Sequence, residues 1–153
     1  MSQIKPEYEA VEEFTILAKQ VVDKYPDVFY GIDVNLIRCV AITNKDKPAK
    51  KERLWEIRGV QMPIRMDCSY SYYVIMYLSD WEEMDEKHKL LMISEVLCGV
   101  SKDKNEEGKV NPPDSKGWKL MQRTFKSIDY LQEADVPDIL REDIEWKVSA
   151  KQE

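Results

Sequence analysis

Glycine is scarce in this chain, at 5 of 153 residues, and proline is limited to 7. That excludes collagen-like and low-complexity classes. Cysteine occurs three times, as Cys39, Cys68 and Cys98. The odd number, the wide spacing and the lack of a CxxC pair fit neither a disulfide framework nor a zinc ribbon. Reduced thiols in a cytoplasmic protein are the expectation. His88 is the single histidine, so any Ser-His-Asp system would have to be built around it. No window reaches the ~18 apolar residues of a membrane-spanning helix. The longest apolar-rich stretch, Tyr70 to Leu78, is strand-sized. The start, Met1-Ser2-Gln3-Ile4-Lys5-Pro6-Glu7, has no apolar core of a secretory signal. The nucleotide-loop patterns GxxxxGKS/T and GxGxxG are missing, as is GxSxG.

What is present describes one ordinary domain. Apolar residues make up 43% and charged residues 34%. A chain of this length buries ~68–70% of its unfolded surface, so it needs no disulfide or metal to fold. The net charge of -6 and the pI of about 5.0 argue against non-specific binding to nucleic acid or to an anionic membrane.

Val11, Phe14, Leu17, Val21 and Tyr25 recur at helical spacing and Pro26 stops the run, which predicts a helix over 7–25. Val34 to Thr43 is apolar on both faces, as an interior strand is. Trp55 to Met62 reads as a second strand ended by Pro63. Tyr70 to Leu78 is the best strand, rich in aromatic and β-branched residues. Leu90, Ile93, Leu97 and Val100 give a helical stripe over 86–100, and 101–111 is a polar loop or hairpin. Asp114 follows Pro112-Pro113 as an N-cap for a helix marked by Trp118, Met121, Phe125 and Ile128. A short helix is expected near Asp138 to Arg141, then a strand or docked extension over 144–148. The fold class is α+β, with a small sheet covered by helices. A single domain spans 1–153, with a core of about 7–128 and a C-terminal extension over 129–153.

Two charge clusters offer surfaces. Lys45, Lys47, Lys50, Lys51, Arg53 and Arg58 make a basic stretch, partly offset by Asp46, Glu52 and Glu56. It reads as a solvated loop or as a nucleic-acid contact. Asp80, Glu82, Glu83, Asp85 and Glu86 surround Trp81 and Met84. This is either an acid-rich helix start or a docking epitope anchored by an exposed Trp. Tyr70, Tyr72, Tyr73 and Tyr77 place rings on both faces of one strand. If that strand lies at a sheet edge, they frame a surface for strand addition.

One order of segments resembles a known family. Tyr73-Val74-Ile75-Met76-Tyr77 leads through an acidic turn to Leu90-Leu91-Met92-Ile93-Ser94-Glu95-Val96-Leu97-Cys98. Then come Glu106-Glu107-Gly108-Lys109-Val110 and Pro113-Asp114-Ser115-Lys116-Gly117-Trp118. From about Pro26 to Ile128 this order is similar to a phage metallopeptidase family with a small zincin-like fold. That family has a strand, a helix bearing HExxH, an EGK-hydrophobic segment, and a His-Asp pair opening a helix. In HExxH the histidines at i and i+4 bind zinc and the Glu is general base. The matching positions here are Ser94, Glu95 and Cys98, and Pro113 stands where the downstream His belongs.

Glu95 and Asp114 therefore keep their places while the imidazoles are gone. Each survivor also has a plainer reading: Glu95 as a partly solvated or strand-bonded helix residue, Cys98 as a small core residue, Asp114 as the N-cap, and Ser94 as a close-packing residue. Zinc lowers the pKa of its bound water toward neutrality, and without it Glu95 has no activated nucleophile to serve. The resemblance implies a phage protein of the host cytoplasm with a degenerate site, no catalysis, no metal and no cofactor. It would act on a protein partner, host or phage, through Trp81, Met84, Glu82, Glu83, Tyr70 and Tyr72, and not on a membrane. Two alternatives stand beside it. One is a hydrolase with a rearranged site of Glu95, Cys98, Asp114 and His88, whose lysine neighbours Lys87 and Lys89 argue for exposure. The other is a nucleic-acid-associated protein using Lys45 to Arg58.

Overall fold

The computed structural model describes residues 5–45, 55–101, 108–110, 119–126 and 130–147. The expected Asp114 cap, Trp118, Ile128 and Val148 lie outside these residues, as do Lys47, Lys50, Lys51 and Arg53. The described residues form an α+β fold. It has four strands, β1 (Tyr8–Ala10), β2 (Ile37–Ile42), β3 (Trp55–Gly59) and β4 (Tyr72–Tyr77). Its helices are α1 (Glu12–Lys24), α2 (Leu78–Glu83), α3 (Glu86–Cys98) and α4 (Lys119–Phe125).

The sheet order is β1-β2-β4-β3. β2 and β4 run parallel, with Ile37 opposite Tyr72 and Ile42 opposite Tyr77. β1 and β3 are antiparallel edges, on β2 and β4 respectively. β4 is therefore interior, which removes the expected strand addition along its own edge.

The predicted first helix begins later than expected. Tyr8, Glu9 and Ala10 pair with Ile42, Ala41 and Val40, and Thr43 donates to the Glu7 carbonyl at 2.9 Å. Backbone pairing across the sheet outweighs helix propensity in this short acidic stretch. Glu12 and Glu13 remain in the first helical turn, where the dipole favours them. The expected helix near Asp138 to Arg141 is a turn: the Asp138 carboxylate accepts from the Leu140 and Arg141 amides. The tail forms no strand up to residue 147.

One sheet face carries Ile37, Cys39 and Ala41 of β2 and Tyr72, Val74 and Met76 of β4, all buried. These join Phe14, Ala18 and Val21 of α1 and most of α3 in one core. Burial pushes the Cys39 thiol well above its ordinary value, so it is an inert core residue. α3 differs from the amphipathic stripe the sequence predicts. Every residue from Leu90 to Leu97 is buried, Ser94 and Glu95 included. A helix apolar on most sides belongs at the centre of a core.

The C-terminal extension is clamped to the end of α1. Lys24 Nζ donates to the carbonyls of Ile139, Leu140 and Glu142 at 2.7–2.9 Å. The Tyr25 hydroxyl donates to the Ile139 carbonyl at 2.6 Å and accepts from the Ile144 amide at 3.1 Å. Trp146 then packs edge-on against Tyr25, Phe29 and Phe125.

Two glycines let the 108–110 segment meet the sheet. A Cβ on Gly59 would lie 1.5 Å from the Gly108 carbonyl oxygen. Gly108 itself has φ 87°, a left-handed backbone that favours glycine. Gly59→Ala is expected to push the segment off the sheet and cost about 1–3 kcal/mol, as overpacking does. Urea unfolding measures this, and a variant as stable as the wild type contradicts the close approach.

Candidate functional site

The three described positions that match the zinc helix lie on α3. Ser94 is fully buried, and its hydroxyl donates to the Leu90 carbonyl at 2.9 Å. This back-bond to residue i−4 uses the hydroxyl within the helix. Cys98, one turn on, is partly buried against the core. Glu95 is 9% exposed, and its Oε2 accepts a hydrogen bond from the Tyr130 hydroxyl. Tyr130 is itself buried, held in a turn at Tyr130–Gln132 with its ring 6.1 Å from Phe125. A buried carboxylate is costly unless hydrogen-bonded, and Tyr130 supplies a donor. Tyr130 was not a candidate from sequence: it lies 35 residues from Glu95 with no local signal. Asp114 and Pro113 lie outside the described residues. Among the described residues no group of three or more His, Cys, Asp or Glu side chains is placed to hold a metal ion.

His88 corrects the expectation of solvent exposure. Its side chain is only 16% exposed. Nδ1 lies 2.6 Å from Asp85 Oδ1 and Nε2 lies 2.7 Å from the Glu133 carbonyl oxygen. Both ring nitrogens face acceptors, so the imidazolium, which donates from both, suits the setting. Asp85 is the N-cap of α3 and accepts from the His88 amide at 2.9 Å. Burial lowers the His88 pKa, but the Glu133 carbonyl and the Asp85 carboxylate outweigh it and hold it above 6.5. The His88 amide and ring hold Asp85 below 3.8. The imidazole is thus committed to a cap and to the C-terminal segment, not turned to Glu95.

The proposed docking anchors also change. Trp81 is 4% exposed, so it is no surface anchor. Its indole N–H donates to Glu13 Oε1 at 3.0 Å, and Lys89 Nζ donates to the same oxygen at 2.8 Å. Lys89 also sits 4.8 Å from the Trp81 ring centroid. These contacts knit α1, α2 and α3. Tyr72 is 2% exposed. Its hydroxyl donates to the Lys109 carbonyl at 2.8 Å and accepts from the Ser101 and Gly108 amides. Tyr72 thus pins the 108–110 segment and frames no binding surface. Met84 and Tyr70 are half-buried, while Glu82 and Glu83 are exposed.

The second sheet face is open. It presents Arg38 and Val40 of β2, Tyr73 and Ile75 of β4, and Glu56 and Arg58 of β3. Arg38 lies over the Tyr70 ring at 5.3 Å, and Tyr70 meets Tyr73 edge-on at 5.9 Å. The Cys68 thiol, 3.8 Å from the Tyr73 hydroxyl, together with burial holds that phenol above its ordinary value. Arg58 pairs with Glu56 at 2.9 Å. Among the described residues no helix is long and apolar enough to cross a membrane.

The class these features define is a small α+β domain with a mixed four-stranded sheet, one helix-covered face and a buried glutamate on its central helix. No family model, no curated protein and no solved structure matches the chain.

Two predictions follow from the Glu95 and His88 contacts. Tyr130→Phe removes a donor to a buried carboxylate and is expected to cost about 1.5–3 kcal/mol, while Glu95→Gln keeps an acceptor and still folds. Urea titrations of both variants check this, and a Tyr130→Phe chain of unchanged stability contradicts it. Raising the His88 pKa gives stability that is full below 6.5 and fades as pH climbs through the raised value. Lowering that of Asp85 gives stability that is full above 3.8 and fades as pH falls through the lowered value. The difference in thermal midpoint between wild type and His88→Ala should therefore be largest near pH 5 and shrink above neutrality. A difference constant across that range contradicts the pairing.

Proposed function

We propose that the chain is a zincin-like phage protein that has lost metal chemistry and acts in the host cytoplasm by binding a protein. The observation that carries this reading is the Glu95–Tyr130 contact. A zincin general base must reach a metal-bound water, whereas this carboxylate is buried and accepts from a tyrosine hydroxyl. The engagement of Ser94 with the Leu90 carbonyl supports the same reading. The route from β4 through α2 into α3 fits the order of segments in the resembling family.

In active zincins an edge strand holds the peptide substrate. Of the two antiparallel edge strands, β1 and β3, it is β3 that carries Glu56 and Arg58, partly or fully exposed along it. Binding without cleavage would use that edge for strand addition; the acids Glu82 and Glu83 are exposed as well. The rearranged hydrolase gains nothing from His88, whose ring is held by Asp85 and Glu133. Of the basic stretch, only Lys45 and Arg58 fall among the described residues.

Metal analysis of protein purified without chelator, together with a peptide-cleavage panel, tests the proposal. The expected result is substoichiometric zinc, no turnover, and capture of a protein partner that charge reversal at Glu56 and Arg58 weakens. One tightly held zinc per chain, or turnover abolished by Glu95→Gln, overturns it.

A further inference from the structure

We propose that His88 is a proton latch: its imidazolium holds the 130–133 turn down on α3, and loss of the ring proton frees that turn and uncovers Glu95. The geometry at the ring carries this. Nδ1 lies 2.6 Å from Asp85 Oδ1, and Nε2 lies 2.7 Å from the Glu133 carbonyl oxygen. A carboxylate and a carbonyl oxygen only accept, so both ring nitrogens have to donate. A neutral imidazole has one N–H and one lone pair. It satisfies one of these oxygens and turns a lone pair on the other. The side chain is 16% exposed, which leaves little room for water to come between them.

Charge decides which contact gives way. A hydrogen bond to a carboxylate is charge-assisted and outlasts one to a carbonyl. Asp85 is also fixed as the α3 N-cap by the His88 amide at 2.9 Å. The remaining N–H therefore stays on Nδ1, and the lone pair of Nε2 faces Glu133. That residue lies at the surface with Ala134 and Asp135. Its amide meets the Tyr130 carbonyl at 3.4 Å, a long contact that holds the turn lightly. Further on, Val136 and Ile139 are buried, which confines the opening to the residues before them.

Glu95 lies under the same turn. It is 9% exposed, and Tyr130, at the head of the turn, donates its hydroxyl to it. His88 and Glu95 stand about two helical turns apart on one face of α3, so the turn is tied to that face at both ends. Lifting its Glu133 end draws the Tyr130 phenol away and lets water reach the carboxylate.

The charges acting on the ring set the direction of the switch. Asp85 favours the cation and Lys87 opposes it. From α1, Glu13 is taken by Lys89 and Trp81. The C-terminal segment meets the ring with the Glu133 carbonyl. Burial works against the cation, but the carbonyl and Asp85 outweigh it and keep the proton on above 6.5. The latch is therefore closed at low pH and opens as pH climbs through the raised value. The inference is independent of the zincin-like reading, since it uses only the cap of α3 and the turn after α4.

Carboxyl footprinting of the full chain with a carbodiimide and glycine ethyl ester, read by mass spectrometry from about pH 6 to about pH 8.5, tests it. Labelling of Glu95 is taken relative to the exposed Glu82 and Glu83, which removes the pH dependence of the reagent. The ratio should rise by up to about tenfold per pH unit as His88 titrates and then level off. Asp85→Asn keeps an acceptor for the His88 amide and should move the rise to lower pH. His88→Ala should give one ratio at every pH. A wild-type ratio that stays constant overturns the inference whatever the variants do. So does a rise that His88→Ala retains.

Discussion

The burial of α3 on every face from Leu90 to Leu97 sets the terms for the other elements. A stretch of helix with no solvent side has to be enclosed, here in one core with α1, the core face of the sheet and the C-terminal segment. Its polar residues must then be satisfied inside the protein. Ser94 meets this within the helix, through Leu90. Glu95 meets it through Tyr130, which the chain brings back from beyond α4. At the amino end, Asp85 caps the helix and His88 ties it to the Glu133 carbonyl. The C-terminal residues thus complete the core, with the Lys24 and Tyr25 clamp holding them in place.

This constraint bears on chemistry. A general base works where its carboxylate reaches the proton it removes; the Glu95 side chain is buried and accepts from the Tyr130 hydroxyl. Under the proposed binding role, recognition would fall to the sheet. Its two outer resources are distinct. β3 is an edge strand, and the open face carries an apolar groove lined by Tyr8, Val40, Tyr73 and Ile75.

The sequence made local periodicity readable and left distant pairings hidden. The strand at Tyr72–Tyr77 and the helices at Glu12–Lys24 and Glu86–Cys98 announce themselves by composition and spacing. Strand β1 does not, because its three residues are acidic or small apart from Tyr8, and β2 alone makes them a strand. Sheet order, which places β4 inside and β3 outside, depends on non-local pairing and has no local code. Trp81 looked exposed because acids surround it, yet its partners Glu13 and Lys89 come from other helices. His88 looked exposed between two lysines. Asp85 three residues before it was the legible sign of a cap, and Glu133, 45 residues on, was not. In the candidate site, Ser94, Glu95 and Cys98 were visible as a pattern, and Tyr130, whose hydroxyl donates to Glu95, was not.

Native-state hydrogen exchange tests the central place of α3 most directly. The amides of Leu91 to Leu97 should be the slowest in the molecule, exchanging only through global unfolding and slowing further with each stabilising condition in step with it. Exchange of those amides through a local opening, faster than that of β2 and β4, would contradict the account, because a helix that opens alone is not the core on which the rest is built.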